Sequence, residues 1–323
     1  MTKKIIITGG CGYIGSHVAQ TFKQNGDKVY IIDRVYREHT LRNCDSFMIS
    51  DVVSNDALSL ISKLEPDIIV HCAGTSLVGP SVIDPSDYYE NNVGKTIKLL
   101  NHIKDMVKKP NIIFSSSASV YGNPEDIPIK ETHQLNPISP YGQTKVIIET
   151  LLRDYSKAYG INSVSFRYFN ASGAGVHLGQ EPEATHIIAK ALEASISGRT
   201  FTLYGDDYNT PDGTCIRDYI HVLDLAIAHI KASSYLEKNP GCHIFNLGTN
   251  KGTSNQEIIN YIGQKYGFKF LAHGNRRYGD PSELVADSNK ANIELNWKPI
   301  YSKIETIIDS AYNWYIKTVD IKT

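Results

Sequence analysis

The chain has 323 residues, 41% of them hydrophobic, so it can bury a large core, and its length suggests about two domains. Its formal net charge of −1 at pH 7 gives no electrostatic reason to expect binding to nucleic acid or to an anionic membrane. The five cysteines are scattered and no run of 18 apolar residues occurs, so we expect a cytoplasmic protein with reduced thiols, no membrane span and no metal site.

The chain begins with a pattern that is typical of dinucleotide binding. Residues 4–8 are a short apolar run, which predicts a buried parallel strand and not the apolar core of a signal peptide. Gly9, Gly12 and Gly15 follow with the spacing G-x-x-G-x-x-G. The first glycine allows a tight turn, the second admits a pyrophosphate, and the third lets helix and strand pack closely. A phosphate would bind at the N-terminus of the helix that follows.

A second predicted strand, residues 28–32, ends at Asp33. A carboxylate at this point can bind the ribose 2′-hydroxyl of NAD and repel the 2′-phosphate of NADP. Arg34 could instead receive that phosphate, so NADP remains an alternative. Strand, glycine turn, helix, strand and acid in this order favour an NAD site over an ordinary tight turn.

Strand-like runs and helical stretches alternate through the first half of the chain. The further strands are predicted at 68–71, 112–114 and 163–167, and helices at 54–64, 86–106 and 141–159. This alternation predicts an α/β fold with a doubly wound parallel sheet of the Rossmann type. After about residue 170 the pattern becomes irregular, which predicts a second, smaller substrate domain. Gly74, Ser117 and Asn170 each follow a predicted strand, where ligands collect in such sheets.

Tyr141 and Lys145 have the spacing Tyr-x-x-x-Lys, with Ser117 upstream. Pro140 suits the first turn of a helix, so the tyrosine and the lysine would project from one face about one turn apart. The ammonium group would then help to lower the pKa of the phenol from about 10 towards neutrality. The spacing alone is a weak pattern, because a lysine is often a solvated helix residue and a serine often caps a strand end.

Several segments together resemble the extended short-chain dehydrogenase/reductases, and most of all those members that epimerise UDP-hexoses at C4. The similarity extends over nearly the whole chain. Besides the residues above, it includes His71-Cys72-Ala73-Gly74, residues 88–93, 167–170, 217–222 and 245–248, and Gly279-Asp280. The resemblance implies transient oxidation of C4 to a 4-keto sugar by NAD, with Tyr141 as the base. It also implies a homodimer formed through the helices near 86–106 and 141–159.

The resemblance also implies roles for individual residues. The catalytic residues would be Ser117, Tyr141 and Lys145. The cofactor would contact Gly9, Gly12, Tyr13, Ile14, Gly15, Asp33, Asp51, Val52, Ala73, Gly74, Asn91, Tyr141, Lys145 and Phe169. The UDP-sugar would contact Ser117, Tyr141, Asn170, Arg217, Arg277, Asp280 and Leu284. Purely structural roles remain as alternatives for some of them: Asp51 could form a turn, Phe169 could belong to the core, and the arginines could be solvated surface charges.

By the same resemblance the domains interleave along the chain. Residues 1–170 and 216–248 would form the NAD-binding domain, and residues 171–215 and 249–323 the nucleotide-sugar-binding domain.

Two other functions are open to this scaffold. Sugar 4,6-dehydratases and nucleotide-sugar decarboxylases of the family carry acidic residues just after the catalytic Ser or Thr, whereas Ala118 and Ser119 follow Ser117 here. A non-catalytic NAD-binding protein would not need Ser117, Tyr141 and Lys145 together. Epimerisation is therefore favoured.

Two departures from the family pattern carry expectations of their own. Many relatives have a lysine near the cofactor pyrophosphate where this chain has Ser76, so we expect NAD to be held less firmly. Leu284 stands where relatives restricted to UDP-glucose and UDP-galactose carry a tyrosine. We therefore expect a sugar pocket that also admits N-acetylated substrates, although Leu284 could simply be part of the core.

Overall fold

The structure is a computed structural model that describes residues 2–181, 185–276 and 281–320. The strands are β1 (Lys4–Thr8), β2 (Lys28–Asp33), β3 (Ser46–Ile49), β4 (Ile68–His71), β5 (Asn111–Ser117), β6 (Ser163–Tyr168), β7 (Asn170–Ser172), β8 (Thr200–Tyr204), β9 (Ile216–Arg217), β10 (Tyr219–His221), β11 (Cys242–Leu247), β12 (Thr253–Ser254), β13 (Phe270–Gly274) and β14 (Glu283–Leu284).

The α-helices are α1 (Tyr13–Gln24), α2 (Glu38–Leu41), α3 (Asn55–Leu64), α4 (Val78–Ile83), α5 (Pro85–Tyr88), α6 (Lys95–Lys104), α7 (Pro140–Tyr159), α8 (Ile187–Ser197), α9 (Val222–Tyr235), α10 (Asn255–Lys265), α11 (Asn289–Glu294) and α12 (Ile304–Asp320). A π-helical segment, Tyr89–Gly94, joins α5 to α6, and a 3₁₀ turn, Ala118–Val120, follows β5.

Seven parallel strands form the main sheet in the order β11-β6-β5-β4-β1-β2-β3. Alternate residues of β1 enter different cores: Ile5 and Ile7 pack with α1 and α9 on one face, and Ile6 packs with α3, α6 and α7 on the other. Helices on both faces of a parallel sheet confirm the predicted doubly wound α/β fold.

A second apolar core is built from the later part of the chain. It contains side chains of α8, α10, α12 and β8, among them Leu192, Phe201, Ile258 and Ile308. Three small sheets accompany it, with strand orders β10-β7, β12-β9-β14 and β13-β8. Helix α9 nevertheless packs on the first core, and β11 lies in the main sheet beside β6, so the chain returns to the first core with α9. Among the described residues, no helix is both long and apolar enough to cross a membrane.

The helical stretch predicted at 86–106 is divided in the structure. The π-helical segment Tyr89–Gly94 interrupts it, and the carbonyl oxygen of Asn92 accepts a hydrogen bond from the Thr96 hydroxyl over 2.5 Å. π-Helical turns are rare and occur frequently at functional sites. This one faces the loop after β4 and the start of α7, as described below.

Candidate active site

The turn after β1 and the loop after β4 are packed against each other so closely that glycine is required. A β-carbon on Gly9, whose φ is +71°, would lie 2.7 Å from the Ala73 nitrogen. A β-carbon on Gly15 would overlap the Gly9 carbonyl oxygen, and one on Gly74 would lie 2.8 Å from Asn92 Oδ1. The two loops therefore form one wall at the carboxyl end of the sheet, of the kind that the backbone of a dinucleotide approaches closely.

Helix α1 begins directly after Gly12, and no side chain of the described residues caps it. The first N–H groups of a helix have no partner within it and lie at the positive end of its dipole. Tyr13 and Ile14 provide two of these groups, which suits a phosphate. The Tyr13 hydroxyl donates to the Gly173 carbonyl over 2.6 Å and so fixes the helix start against the segment after β7.

The carboxylate of Asp33 is held beside the glycine turn. Its Oδ2 accepts from the Cys11 N–H over 2.9 Å, and its Oδ1 accepts from the Val35 N–H over 3.0 Å. A carboxylate has about four acceptor positions, so two remain for ribose hydroxyls. Residues near this turn also line an open cleft; they include Cys11, Tyr13, Ser16, Arg37, Leu77 and Glu181.

Asp51 and Val52 follow β3, and the structure gives each a local partner. The Asp51 carboxylate pairs with Lys95 over 2.6 Å and accepts from the Val53 N–H over 3.1 Å. Burial raises the pKa of Asp51, but the hydrogen bonds and positive charge of Lys95 outweigh this and lower it overall. Val52 is buried in the core beside β2 and β4. Their contact with adenine stays a prediction.

The two asparagines of the π-helical segment have different surroundings. Asn91 donates to the Asp87 carboxylate over 2.6 Å and remains half-buried, so its contact with the cofactor stays a prediction. Asn92 is buried: its Oδ1 accepts from the Thr75 N–H over 2.7 Å, and its Nδ2 donates to the Thr75 carbonyl and the Thr144 hydroxyl, each over 3.1 Å. Asn92 therefore connects the loop after β4 to α7.

Helix α7 starts where the sequence predicts. The Ser139 hydroxyl accepts from the Gly142 N–H over 3.2 Å, and Pro140 occupies the first turn. Tyr141 and Lys145 lie one turn apart, with the Lys145 Nζ 5.4 Å from the centre of the Tyr141 ring. Ser117 lies close enough to Tyr141 for its side chain to lower the pKa of the phenol. The structure thus brings the three predicted catalytic residues together.

Lys145 is buried, and its ammonium group donates to the Ser115 carbonyl over 2.8 Å. It also lies 4.8 Å from the centre of the Phe114 ring, within range of a cation–π contact. Burial lowers the pKa of Lys145 to about 8, against the charges of Cys72 and Glu149, which raise it. The group is therefore still mostly protonated at neutral pH.

The pKa of Tyr141 departs from the sequence-based expectation. Burial raises it above its usual value of 10.0, the hydrogen bond with Ser117 lowers it, and Tyr88 raises it further. The expected lowering by Lys145 is not seen, because its ammonium group is directed at the Ser115 carbonyl and the tyrosine is desolvated.

A buried ion pair supports the catalytic helix one turn beyond Lys145. Glu149 accepts from Arg167 over 3.0 and 2.7 Å, and from the Ser116 hydroxyl over 2.5 Å. Arg167 also donates to the Tyr121 hydroxyl over 2.8 Å. The pair joins β5, β6 and α7, and removing one partner would leave an uncompensated buried charge.

Phe169 and Asn170 lie between β6 and the small sheets. Phe169 is buried in a cluster that also contains Ala118 and Leu284. Asn170 begins β7, and its backbone N–H donates to the Asp218 carbonyl over 2.9 Å. Phe169 is therefore close to the turn after Ser117, and Asn170 is the next residue along the chain.

Arg217 and Leu284 are paired across the small sheet, opposite each other in β9 and β14. The Arg217 Nη1 donates to the Ile216 carbonyl over 2.8 Å, and its guanidinium has further N–H groups for a phosphate. Leu284 is half-buried against the cluster of Phe169. Arg277 and Asp280 lie outside the described residues.

Two residues at the site were not assigned a role from the sequence. The Ser119 hydroxyl donates to the Ser117 hydroxyl oxygen. Asn92 joins the loop after β4 to α7 through Thr75 and Thr144. A buried asparagine in a helical stretch was the available signal for Asn92, because asparagine is a poor helix former. Nothing in the local pattern distinguishes Ser119 from its serine neighbours. In the described part of the chain, no group of three or more His, Cys, Asp or Glu side chains could hold a metal ion.

Comparison with known proteins agrees with this geometry. Residues 5–248 match the model of the NAD dependent epimerase/dehydratase family. The chain is 42% identical to a UDP-glucose 4-epimerase of Halalkalibacterium halodurans, over 96% of this chain and 95% of the relative. A crystal structure of UDP-glucose 4-epimerase from Brucella ovis in complex with NAD superposes with a TM-score of 0.92, at 40% identity over 97% of this chain and 98% of that one.

A third similar protein is the UDP-Glc/GlcNAc 4-epimerase from Campylobacter jejuni. Its structure superposes with a TM-score of 0.85, at 35% identity over 98% of this chain and 99% of that one. Similarity of this extent, together with the glycine turn and the Ser-Tyr-Lys set, shows that the chain belongs to the NAD dependent epimerase/dehydratase family.

Proposed function

We propose that this protein is an NAD-dependent epimerase that inverts C4 of a UDP-hexose and so interconverts UDP-glucose and UDP-galactose. The observation that carries the proposal is the convergence of Ser117, Tyr141 and Lys145 beside the glycine turn. The similarity to UDP-glucose 4-epimerases over almost the whole chain supports it.

The residues at the carboxyl end of the main sheet fit NAD. The closely packed glycine turn, the uncapped start of α1 and the carboxylate of Asp33 match a dinucleotide's pyrophosphate and adenine ribose. When bound, NAD accepts and returns hydride and carries a positive charge on its nicotinamide ring. That charge is of the sign that lowers the pKa of Tyr141.

The protein's own part is proton transfer and orientation. Tyr141 as phenolate takes the proton of the C4 hydroxyl as the sugar is oxidised, and returns it when hydride comes back to the other face of the 4-keto sugar. Ser117 donates its one hydroxyl hydrogen to a reacting oxygen, that of the sugar or that of Tyr141. Lys145 contributes positive charge beside the base and is held in place by Ser115.

The remaining predicted contacts complete the proposal. Asp51, Val52, Ala73, Gly74, Asn91 and Phe169 would contact the cofactor. Arg217 and Arg277 would bind the diphosphate with their guanidinium groups. Asn170, Asp280 and Leu284 would contact the rest of the nucleotide sugar.

Acceptance of N-acetylated sugars is a second proposal. Leu284 packs beside Phe169 and Ala118, next to the turn that carries Ser117, and it lacks the length and hydroxyl of a tyrosine. The similarity to a UDP-Glc/GlcNAc 4-epimerase supports it. The pocket would then accommodate UDP-N-acetylglucosamine besides UDP-glucose.

We also propose the interleaved domains of the sequence analysis, a homodimer and a cytoplasmic location. The seven-stranded sheet and the separate core of α8, α10 and α12 support the division of the chain.

A panel of UDP-sugars with identification of the products tests the function. UDP-galactose should give UDP-glucose. A free 4-keto-6-deoxy sugar would instead identify a dehydratase, and loss of carbon dioxide from a UDP-uronic acid a decarboxylase. No change in any sugar, with NAD bound, would identify a non-catalytic protein.

A further inference from the structure

The hydroxyl oxygen of Ser117 accepts two hydrogen bonds from one neighbouring residue. The Ser119 backbone N–H donates to Ser117 Oγ over 3.2 Å, and the Ser119 hydroxyl donates to the same atom over 2.9 Å. A serine hydroxyl has two acceptor lone pairs and one hydrogen to donate. Ser119 therefore fills both lone pairs and leaves only the hydrogen of Ser117 for another partner.

Tyr141 is the group placed to accept that hydrogen, because the Ser117 side chain lies beside it and lowers the pKa of the phenol. The direction of this bond matters. A donor stabilises a phenolate and lowers the pKa of a tyrosine, whereas an acceptor for the phenol hydrogen holds the proton on and raises it. A Ser117 hydroxyl that can only donate is thus suited to a catalytic base.

The same turn touches the catalytic helix through its backbone. A β-carbon on Gly142 would lie 2.6 Å from the Ser119 carbonyl oxygen, so α7 approaches the 3₁₀ turn at the residue after Tyr141. The position of Ser119 relative to Tyr141 is thereby fixed by packing as well as by hydrogen bonds.

We infer that Ser119 is a positioning residue for the reaction: by occupying both lone pairs of Ser117 Oγ, it commits the Ser117 hydroxyl to donate, towards Tyr141 or towards the reacting sugar oxygen. The inference rests on the proposed role of Tyr141 as the base. Ser119 transfers no proton in this arrangement. Its hydroxyl sets the direction of the chain from Ser119 through Ser117 to Tyr141.

The pH at which Tyr141 ionises is the quantity that tests the role of Ser119 most directly. The titratable groups around it are Lys145 on its own helix, Tyr88 from α5 and Tyr168 from β6. Phenolate absorbance is measured against pH on the NAD-bound protein, and the titration of the matching Tyr141→Phe variant is subtracted to isolate one tyrosine.

Ser119→Ala should raise the midpoint of this titration by about half a pH unit or more, because a hydrogen bond to a charged group contributes measurably to ionisation. With it, kcat at neutral pH should fall about tenfold while KM changes less than about twofold. Ser119→Thr keeps the hydroxyl and should restore both. Ser116→Ala removes a neighbouring hydroxyl that bonds Glu149, and should leave the titration midpoint unchanged.

An unchanged Tyr141 titration in Ser119→Ala would overturn the inference. A higher KM with an unchanged titration would also reject it and would make Ser119 a sugar contact. The titration needs no substrate, so it is independent of the proposed reaction: a shifted midpoint in a protein that epimerises no sugar would uphold the effect of Ser119 on Tyr141 and refute the function.

Discussion

The carbonyl oxygen of Ser119 lies 2.6 Å from the point where a β-carbon would stand on Gly142, and the Pro137 Cβ lies 2.9 Å from the same point. Both distances are too short for a methyl group. Only glycine therefore lets the first turn of α7 pack on the turn that follows Ser117, and this contact sets the distance between Ser117 and Tyr141.

Gly142→Ala should lower kcat by about tenfold or more, because the methyl group must displace Tyr141 from Ser117. In an unconstrained helix the same change would stabilise by roughly 1 kcal/mol. Gly79→Ala is the matched control, since Gly79 lies in α4 with no atom within 4 Å of its β-carbon position. Steady-state kinetics of both variants check this, and equal activities would contradict it.

Burial of Lys145 should make stability depend on pH. Because its pKa is lowered to about 8 in the folded chain from 10.5, the unfolded chain holds more protons between these values, and stability rises with pH across them. The rise is at most about 3 kcal/mol. Lys145→Met should remove it and be more stable than wild type at pH 7. Urea unfolding of both proteins at pH 7 to 10 measures this, and parallel pH profiles would argue against a buried ammonium.

Ser76 should make the cofactor exchangeable. Ser76 is exposed, and the preceding Thr75 hydroxyl donates to the Asp87 carboxylate over 3.0 Å. Ser76→Lys should gain a charge-assisted contact of about 1.5–3 kcal/mol and tighten NAD binding by one to two orders of magnitude. Ser76→Gln gives similar reach without the charge. Titration of the cofactor-free proteins with NAD measures the three dissociation constants. NAD that stays bound to the wild-type protein through long dialysis would refute the expectation.

Leu284 should determine the range of sugars. A tyrosine there would extend towards the turn of Ala118 and fill space near the C2 substituent. Leu284→Tyr should suppress activity on UDP-N-acetylglucosamine by about tenfold or more and change activity on UDP-glucose little. Leu284→Met is the control for side-chain change alone. Equal loss of both activities would reject this pocket.

The sequence predicts the main sheet well because its central strands are fully buried. β1 and β4 are continuous apolar runs, as strands buried on both faces are. β3 at the sheet edge was not predicted, since its residues are half exposed and give no clear period. In the second half, Ser254 and Glu257 form a capping box that marks the start of α10. A capping box can be recognised from four neighbouring residues. The packing of α8 against α12 depends on residues far apart in the sequence and could not be predicted in this way.

The site was predicted where motif and strand end coincide, as at Ser117, Tyr141 and Lys145. The different surroundings of Asn91 and Asn92 were not predicted, because the π-helical segment shifts the side-chain register from that of an α-helix. It also placed Lys145 beside Tyr141 without giving the depth of burial. Desolvation depends on the whole fold and here is the largest cause of the raised pKa of Tyr141.

Removal of the Tyr141 hydroxyl tests the central claim most directly. Tyr141→Phe deletes only the atom proposed to accept the C4 proton, so conversion of UDP-galactose to UDP-glucose should fall by about 10² to 10⁴. NAD binding and the free energy of unfolding should stay close to those of the wild type. A variant that is folded, binds NAD and still turns over at nearly the wild-type rate would contradict the account.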